Sequence, residues 1–423
     1  MEAVIKSALA GRQTLLQKRR QSKVDLPLKL WRQQSHFTTP ATGQPERAVA
    51  GLEPVSRLLA RHDISISAIC ERSGADGAII ENLLVELPDS PLVMVDAEDA
   101  VADTAEAVVQ AREGAVNCFQ HAEWGQTLRF FRPAGLGLAN CVEDLSTVLG
   151  ELVDRHTNTL LLDGIVWPKV ENAEEMRWLC DLLTSLEQHL GLPANSIWLQ
   201  FLVESASALE QLDKIVDIAR PRLCGIIWGA ADYAADVGLH EWANDHPLFD
   251  WARAVIVNAA GAAGVPAIDA MTFNYPTPLH RGDNLNDQQR AANREKILTA
   301  LAEVYADAIH GKNLGMSGKW VGHPGQLLMV QAAYLEHGGD EELQRALNAL
   351  ESYRISVEQG HGATIIGEGD NAKMADRATD RDLRSRLRRY AALGLLAADV
   401  AHNAGLISGQ ELIELMSSTE AGS

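Results

Sequence analysis

Short apolar runs alternate with stretches of helical length along most of this chain. Several runs are apolar at nearly every position, which is typical of strands buried on both faces of a parallel sheet. The pattern predicts strands over 35–39, 92–96, 128–131, 159–162, 197–204, 224–229, 265–269 and 319–321. Helices are predicted between them, among others over 172–191, 205–219 and 287–309.

This repetition predicts the fold class. About eight β–α repeats over roughly 300 residues favour a closed (β/α)₈ TIM barrel over an open doubly wound sheet. We expect a polar, basic, partly helical lead-in over 1–34, the barrel over 35–329 and a C-terminal helical appendage over 330–423. Within the appendage, the Gly-rich segment 360–375 is expected to be irregular.

Composition narrows the class of protein. Of 423 residues, 57 are acidic and 37 basic, a net charge of −20. That surplus argues against nucleic-acid or anionic-membrane partners. No apolar run reaches the roughly 18 residues that a membrane span needs. The five cysteines contain no CxxC pair, so reduced thiols and a cytoplasmic location are expected.

Two of the predicted strands end in acids. Glu204 follows one apolar run, and Asp232 lies shortly after the next. Consecutive parallel strands direct their carboxyl ends to the same side, so both acids should emerge together. A pair of carboxylates with open positions suits Mg²⁺, which keeps several water or substrate oxygens. The alternative is that both acids only cap the helices that follow.

A second group of charges follows the strands over 92–96 and 128–131. Glu98 and Asp99 come just after the first of them, and Arg132 ends the second. A guanidinium in an acidic barrel mouth suits a carboxylate or a developing enolate oxygen. It could equally be a structural partner of Asp96, Glu98 or Asp99, and both roles can coexist.

Three further residues are candidates. Lys169, in Pro168-Lys169-Val170-Glu171, suits a phosphate contact or a partner for a strand-end acid, and a Schiff-base role is disfavoured because the metal-type acids make it redundant. Lys319 lies in a Gly-rich segment whose glycines allow close approach to a ligand. Asp376, by itself, reads as an N-cap that opens a helix.

Together these segments resemble the citrate lyase β-subunit and malyl-CoA lyase family, also called the HpcH/HpaI aldolase family. The resemblance runs from about Ser35 to Arg377 and rests on seven segments in the family's order. They are the acidic stretch 95–101, Arg132, Pro168–Glu171, Val203–Ser205, Gly229–Asp232, Ala267–Asp269, and Gly318–Trp320 followed by His323 and Pro324.

The resemblance implies a function. It assigns Glu204 and Asp232 to Mg²⁺ or Mn²⁺, Arg132 to the substrate, and Asp376 to catalysis in a neighbouring subunit. It therefore implies a homotrimer or homohexamer. The expected reaction makes or breaks a carbon–carbon bond between an acyl-CoA thioester and a 2-oxo acid. Glu98 and Asp99 are expected to hold Arg132 and metal-bound water, and Lys169 and Lys319 to lie against the bound thioester.

Several departures leave the substrate open. Ala134 stands where the family has Asn, and 205–208 replaces its Thr-x-x-Gly. The 287–309 insertion and the segment 318–324 also look like malate synthase. The alternatives are therefore a malate-synthase-like enzyme that hydrolyses the thioester, an aldolase on free 2-oxo or hydroxy acids, and a non-catalytic ligand-binding homologue.

Overall fold

The protein, analysed as a computed structural model, divides into two compact units. One comprises Met1–Leu26 and Gln33–Tyr334, and the other comprises Pro27–Arg32 and Leu335–Ser423. The structure describes residues 1–21, 23–49, 51–102, 104–282, 284–336, 339–366 and 372–420.

Eight parallel strands form a closed barrel in the first unit, which confirms the predicted TIM-type α/β fold. The described residues form further strands outside the barrel, which are β4, β5, β11 and β12 in the numbering that follows. In chain order all described strands are β1 Ser35–Pro40, β2 Leu92–Asp96, β3 Leu128–Arg132, β4 Val153–Asp154, β5 Thr159–Leu160, β6 Gly164–Trp167, β7 Trp198–Val203, β8 Leu223–Trp228, β9 Ala267–Asp269, β10 Gly318–Val321, β11 Thr364–Ile366 and β12 Lys373–Ala375. Around the barrel the order is β1, β2, β3, β6, β7, β8, β9, β10 and back to β1. The strands are buried almost throughout, as expected for a sheet covered on both faces.

Helices follow most of the barrel strands, and the last four described helices belong to the second unit. The described helices are α1 Glu2–Gln21, α2 Glu53–Arg61, α3 Ile66–Ser73, α4 Gly77–Glu86, α5 Ala105–His121, α6 Cys141–Glu151, α7 Ala173–Leu190, α8 Ala206–Glu210, α9 Leu212–Ala219, α10 Ala230–Asp236, α11 Pro247–Ala263, α12 Asp287–Asn313, α13 Pro324–Leu335, α14 Gly339–Glu358, α15 Arg377–Ala392, α16 Ala398–Asn403 and α17 Gly409–Glu420. Short 3₁₀ turns lie at Leu28–Trp31, Pro45–Arg47 and Arg220–Arg222. None of the described helices combines the length and the apolar character that crossing a membrane requires.

The strand predicted over 159–162 is wrong. Thr159–Leu160 pairs with Val153–Asp154 in a separate two-stranded sheet, and the barrel strand is β6. Gly164 opens β6 between Phe130 and Trp198 of the neighbouring strands, and a Cβ there would lie 2.4 Å from the Trp198 carbonyl oxygen and 2.8 Å from the Phe130 ring. The close pairing of β6 with its neighbours therefore requires a glycine at this position, and the more apolar run before it lies outside the barrel.

The second unit has its own apolar core. Buried residues of α14 and α15 pack with Leu28 and with residues of α16 and its flanking turns, among them Leu350, Leu383, Leu387 and Ala401. The expectation that 360–375 is irregular is wrong in part, because β11 and β12 form an antiparallel pair. Residues 367–371 of that segment lie outside the described residues.

Candidate active site

The carboxyl ends of β2 and β3 carry a buried ion pair. Asp96 and Arg132 are register partners at the last positions of these strands, and each is 2% exposed. The guanidinium donates through Nε to Asp96 Oδ1 and through Nη2 to Oδ2, both at 2.7 Å. Bidentate pairing of this kind fixes the plane of the guanidinium. Arg132 thus points inward at the barrel mouth, and it stacks over the Trp320 ring at 5.3 Å.

Two further acids and a lysine complete this charge cluster. Arg132 Nη1 lies 3.2 Å from Glu98 Oε2 and 3.2 Å from Asp99 Oδ2. Lys169 Nζ lies 2.5 Å from Glu98 Oε1 and 2.9 Å from Asp99 Oδ1. Three acids therefore share two cations, and Glu98 and Asp99 bridge Arg132 to Lys169.

Burial and the neighbouring charges shift the pKa values of the side chains in this cluster. Burial raises the pKa of Glu98, and the charge of Arg132 and the Lys169 hydrogen bond only partly offset it. Burial also raises the pKa of Asp99, but there Arg132 and Lys169 outweigh it and the net pKa is lowered. Burial would lower the pKa of Arg132, yet the three carboxylates raise it overall, so the guanidinium stays charged.

Glu204 is held at the end of β7 by backbone groups. It is 4% exposed, and its Oε2 accepts a hydrogen bond from the Lys169 N–H at 3.0 Å. Lys169 itself adopts a left-handed φ of 49°. Across the next strand end, a Cβ on Gly229 would lie 2.3 Å from Glu204 Cγ. The missing side chain at Gly229 therefore leaves the space that Glu204 occupies.

Asp232 lies in the first turn of α10 and is exposed. Burial, followed by the Asp232 charge, raises the pKa of Glu204 to about 8, while Arg132 lowers it. Val203 and Trp228 are register partners at the ends of β7 and β8, so Glu204 and Asp232, which follow them, lie on the same side of the barrel. Among the described residues, no group of three or more His, Cys, Asp and Glu side chains could hold a metal. A pair of repelling carboxylates still fits Mg²⁺, which takes few protein ligands and keeps its waters.

Lys319 lies in a different cluster. It is 1% exposed, and its Nζ is 2.6 Å from Asp307 Oδ2, 3.2 Å from Asp269 Oδ2 and 2.5 Å from the Ala270 carbonyl oxygen. The close approach at Gly318 is to the chain itself, since a Cβ there would lie 2.0 Å from the Gln33 carbonyl oxygen. These contacts make Lys319 a structural partner of buried acids and not an open ligand contact.

Asp376 belongs to the second unit, at the N-cap of α15. Its Oδ1 accepts hydrogen bonds from the N–H groups of Ala378 and Thr379 at 2.8 and 3.1 Å. The hydrogen bonds from Thr379 and Ala378 lower the pKa of Asp376. The capping role expected from the sequence is present, and it leaves a carboxylate that is ionised at neutral pH.

Sequence reasoning missed three residues that shape the site: Gly229, Trp320 and Glu175. Gly229 and Trp320 stood within quoted motifs, but nothing in their spacing indicated the contacts with Glu204 and Arg132. Glu175 is a buried acid of α7, and it accepts hydrogen bonds from Trp167 and from the Glu171 N–H. No sequence signal separates it from the exposed Glu174 beside it.

Comparison with known proteins gives a family match. Residues 72–279 match the model of the HpcH/HpaI aldolase/citrate lyase family, which confirms the resemblance drawn from the sequence. The L-malyl-CoA/β-methylmalyl-CoA lyase of Haloarcula marismortui is 26% identical over 55% of this chain and 62% of its own length. This chain therefore spans less than two thirds of that relative.

Two other relatives are matched over more of their length. The L-malyl-CoA/β-methylmalyl-CoA lyase of Cereibacter sphaeroides is 27% identical over 69% of this chain and 85% of its own. The citrate lyase subunit beta of Leuconostoc mesenteroides is 27% identical over 67% of this chain and 80% of its own length. Among solved structures, a citrate lyase from Burkholderia xenovorans superposes with a TM-score of 0.54 at 21% identity, covering 71% of this chain and 84% of that one. This last likeness supports the fold.

Proposed function

We propose that this protein, whose residues 72–279 match the HpcH/HpaI aldolase/citrate lyase family, is a metal-dependent carbon–carbon lyase. Its substrate would be a hydroxyacyl-CoA, cleaved to an acyl-CoA and a 2-oxo acid or formed from them. The names of the relatives support the lyase class and the CoA thioester. The observation that carries the metal dependence is the buried Glu204 carboxylate beside Asp232 at the barrel mouth.

Glu204 and Asp232 would hold Mg²⁺ or Mn²⁺. Among the described residues, neither Glu204 Oε1 nor the Asp232 carboxylate takes part in a hydrogen bond, so both are available as ligands. A bound divalent ion would polarise the carbonyl of the 2-oxo acid as a Lewis acid. The Lys169 N–H directs Glu204 so that Oε1 remains open.

Arg132 would stabilise negative charge on the thioester oxygen when the enolate forms. Its guanidinium is buried, stays charged and already lowers the pKa of Glu204. A fixed charge in a site shielded from water stabilises a developing anion more than the same charge in water. Asp96, Glu98 and Asp99 hold the guanidinium in place, so little reorganisation is needed during the reaction.

Asp376 would move the proton at the acyl-CoA α-carbon. Its carboxylate is ionised and can accept a proton, and because the lowered pKa makes it a weak base, the site that it enters would have to raise that pKa. We propose, as the family resemblance implies, that it acts in the site of a neighbouring subunit of a homotrimer or homohexamer. Lys169, whose side chain is 41% exposed, is our remaining candidate for a contact with the bound thioester.

A substrate screen tests this function. The purified protein is incubated with Mg²⁺ or Mn²⁺, a panel of acyl-CoAs and glyoxylate, pyruvate or oxaloacetate, and the products are read by mass spectrometry. An intact hydroxyacyl-CoA is the expected product, and Glu204→Ala and Asp232→Ala should abolish it. Free CoA with a free hydroxy acid would instead indicate thioester hydrolysis. Full turnover by the two Ala variants would exclude the proposed metal site.

A further inference from the structure

Glu175 is a buried carboxylate outside the residues with proposed roles, and it is linked to them. It lies in the first turn of α7 and is 6% exposed. Its Oε1 accepts a hydrogen bond from the Trp167 indole N–H at 3.0 Å, and its Oε2 accepts one from the Glu171 N–H at 2.9 Å. Trp167 ends β6, and Glu171 stands four residues later. Glu175 therefore fixes both ends of the turn between β6 and α7.

That turn contains the residue that holds Glu204. Lys169 has the left-handed φ of 49°, a conformation that is sterically unfavourable for a non-glycine residue. The conformation persists only if the surrounding structure holds it. Two hydrogen bonds to one carboxylate, on either side of Lys169, supply that constraint, and the constrained N–H donates to Glu204 Oε2 at 3.0 Å.

The same turn is joined to the segment that follows Glu204. The Glu171 carboxylate accepts a hydrogen bond from Ser205 Oγ at 3.1 Å, and its carbonyl oxygen accepts one from Ser207 Oγ at 2.9 Å. Two contacts thus fix the position of Glu204: the hydrogen bond from the Lys169 N–H, and the hydrogen bond from its chain neighbour Ser205 to Glu171. Lys169 and Glu171, which make these contacts, both belong to the turn that Glu175 fixes.

We infer that Glu175 is a positioning residue for the metal carboxylate Glu204. Both of its oxygens accept hydrogen bonds from Trp167 and Glu171, so it would act by holding the Lys169 N–H and Glu171 in place and not as a ligand. Groups that orient a metal ligand typically change metal affinity 10- to 100-fold when they are altered. The inference rests on the proposed function, because it assumes that Glu204 binds the ion.

Glu175→Gln tests the inference. A glutamine keeps one acceptor oxygen, but its NH₂ group must face either the Trp167 or the Glu171 N–H, so one hydrogen bond is lost. We expect the Kd for Mg²⁺, measured by calorimetry on the whole protein, to rise about 10-fold or more. We also expect kcat to recover at saturating Mg²⁺, which general damage to the fold would prevent.

Glu174→Gln is the matched control. Glu174 is the preceding residue of the same helix, and its side chain is exposed. The Kd of the Glu174→Gln protein for Mg²⁺ should stay within about twofold of the wild-type value, since surface substitutions away from buried networks have small effects. A folded Glu175→Gln protein with the Kd of the control would overturn the inference.

Ser207→Ala is a second test of the positioning role, for the case that the Glu175→Gln protein does not fold. It removes only the hydrogen bond to the Glu171 carbonyl, at a part-exposed position. We expect a Kd raised about threefold, which matches the loss of one modest hydrogen bond, and an unchanged Kd would overturn the inference. A wild-type protein that binds neither Mg²⁺ nor Mn²⁺ would refute the proposed function as well. Normal wild-type binding with unaffected variants would refute only the role of Glu175.

Discussion

At the residue scale, the unusual feature is a carboxyl group that is buried beside a second carboxylate. A glutamate side chain ordinarily has a pKa of 4.5. Burial, followed by the Asp232 charge, raises the pKa of Glu204 to about 8. A buried acid without a cation keeps its proton, because the charged form loses solvation and meets a like charge. A divalent cation reverses this preference, since it binds the ionised form.

This predicts how stability depends on pH when metal is removed. Between about pH 4.5 and pH 8 the folded protein keeps the Glu204 proton and the unfolded chain does not, so stability falls as pH rises through this range. The whole effect is at most about 5 kcal/mol, at 1.36 kcal/mol for each pKa unit. Thermal melting in a chelator should show this slope in the wild-type protein.

Glu204→Gln is the control for that measurement. Glutamine has nearly the same shape and does not titrate, so its melting temperature should change less between about pH 5 and pH 8. Added Mg²⁺ should raise the melting temperature of the wild-type protein more at pH 8 than at pH 6, and should not raise that of the variant. Parallel pH profiles for the two proteins would contradict the assignment of the raised pKa to Glu204.

At the element scale, the site depends on how strands end. Arg132 ends β3, and Glu98, Asp99, Lys169, Glu204 and Asp232 each follow a strand within a few residues, so short turns set the direction of most of these side chains. The junction of β8 and α10 shows this most clearly, because Gly229 lies against Glu204 from the neighbouring strand. The backbone φ of Gly229 is −110°, which any residue can adopt, so glycine is required here by space alone.

Gly229→Ala should therefore displace Glu204. The added Cβ would lie 2.3 Å from Glu204 Cγ and 2.8 Å from its Oε1. We expect the free energy of unfolding to fall by about 1–3 kcal/mol, as for other overpacked positions. Mg²⁺ affinity should fall with it, and calorimetry and chemical denaturation measure the two effects.

Gly261→Ala is the matched substitution for this prediction. Gly261 lies within α11, and a Cβ there meets nothing within 4 Å. Alanine in a helix is favoured over glycine by about 0.5–1 kcal/mol, so this variant should be as stable as the wild-type protein or more so, with normal Mg²⁺ binding. Equal behaviour of the two variants would show that Gly229 does not limit the position of Glu204.

At the scale of the whole molecule, the candidate groups are distributed over two units. Arg132, Glu204 and Asp232 belong to the barrel, and Asp376 belongs to the C-terminal unit. If Asp376 serves a neighbouring subunit, each active site draws on two chains. Subunit mixing can test this directly.

We predict complementation between inactive variants. Asp376→Asn and Glu204→Ala proteins should each lack turnover, but hybrids assembled from equal amounts should regain about a quarter of the wild-type rate. The reason is that random mixing joins an intact Glu204 to an intact Asp376 in one shared site in four. Glu204→Ala mixed with Asp232→Ala is the control and should stay inactive, because both changes affect the same barrel. No recovery in verified hybrids would exclude a shared site.

The sequence by itself determined the barrel and its family resemblance. Alternation of buried strands and helices is a local property, and eight such repeats allow few architectures, so the fold class was predicted and is confirmed. Strand-end positions also predicted that Glu204 and Asp232 emerge on one side. Where two apolar runs stood close together, over 159–167, local pattern chose the wrong one. The deciding factor was the close pairing of Gly164 with Trp198 of the neighbouring strand β7, which leaves no room for a side chain.

Only the tertiary structure decided which groups meet. It paired Arg132 with Asp96, enclosed Lys319 among acids, and placed Gly229 against Glu204. It also tied the Lys169 turn to Glu175. Hydrophobic periodicity indicates whether a residue faces the core, but it does not indicate which residues that residue contacts across the barrel. Those partners follow from strand register and from space left by absent side chains, which exist only once the barrel has closed.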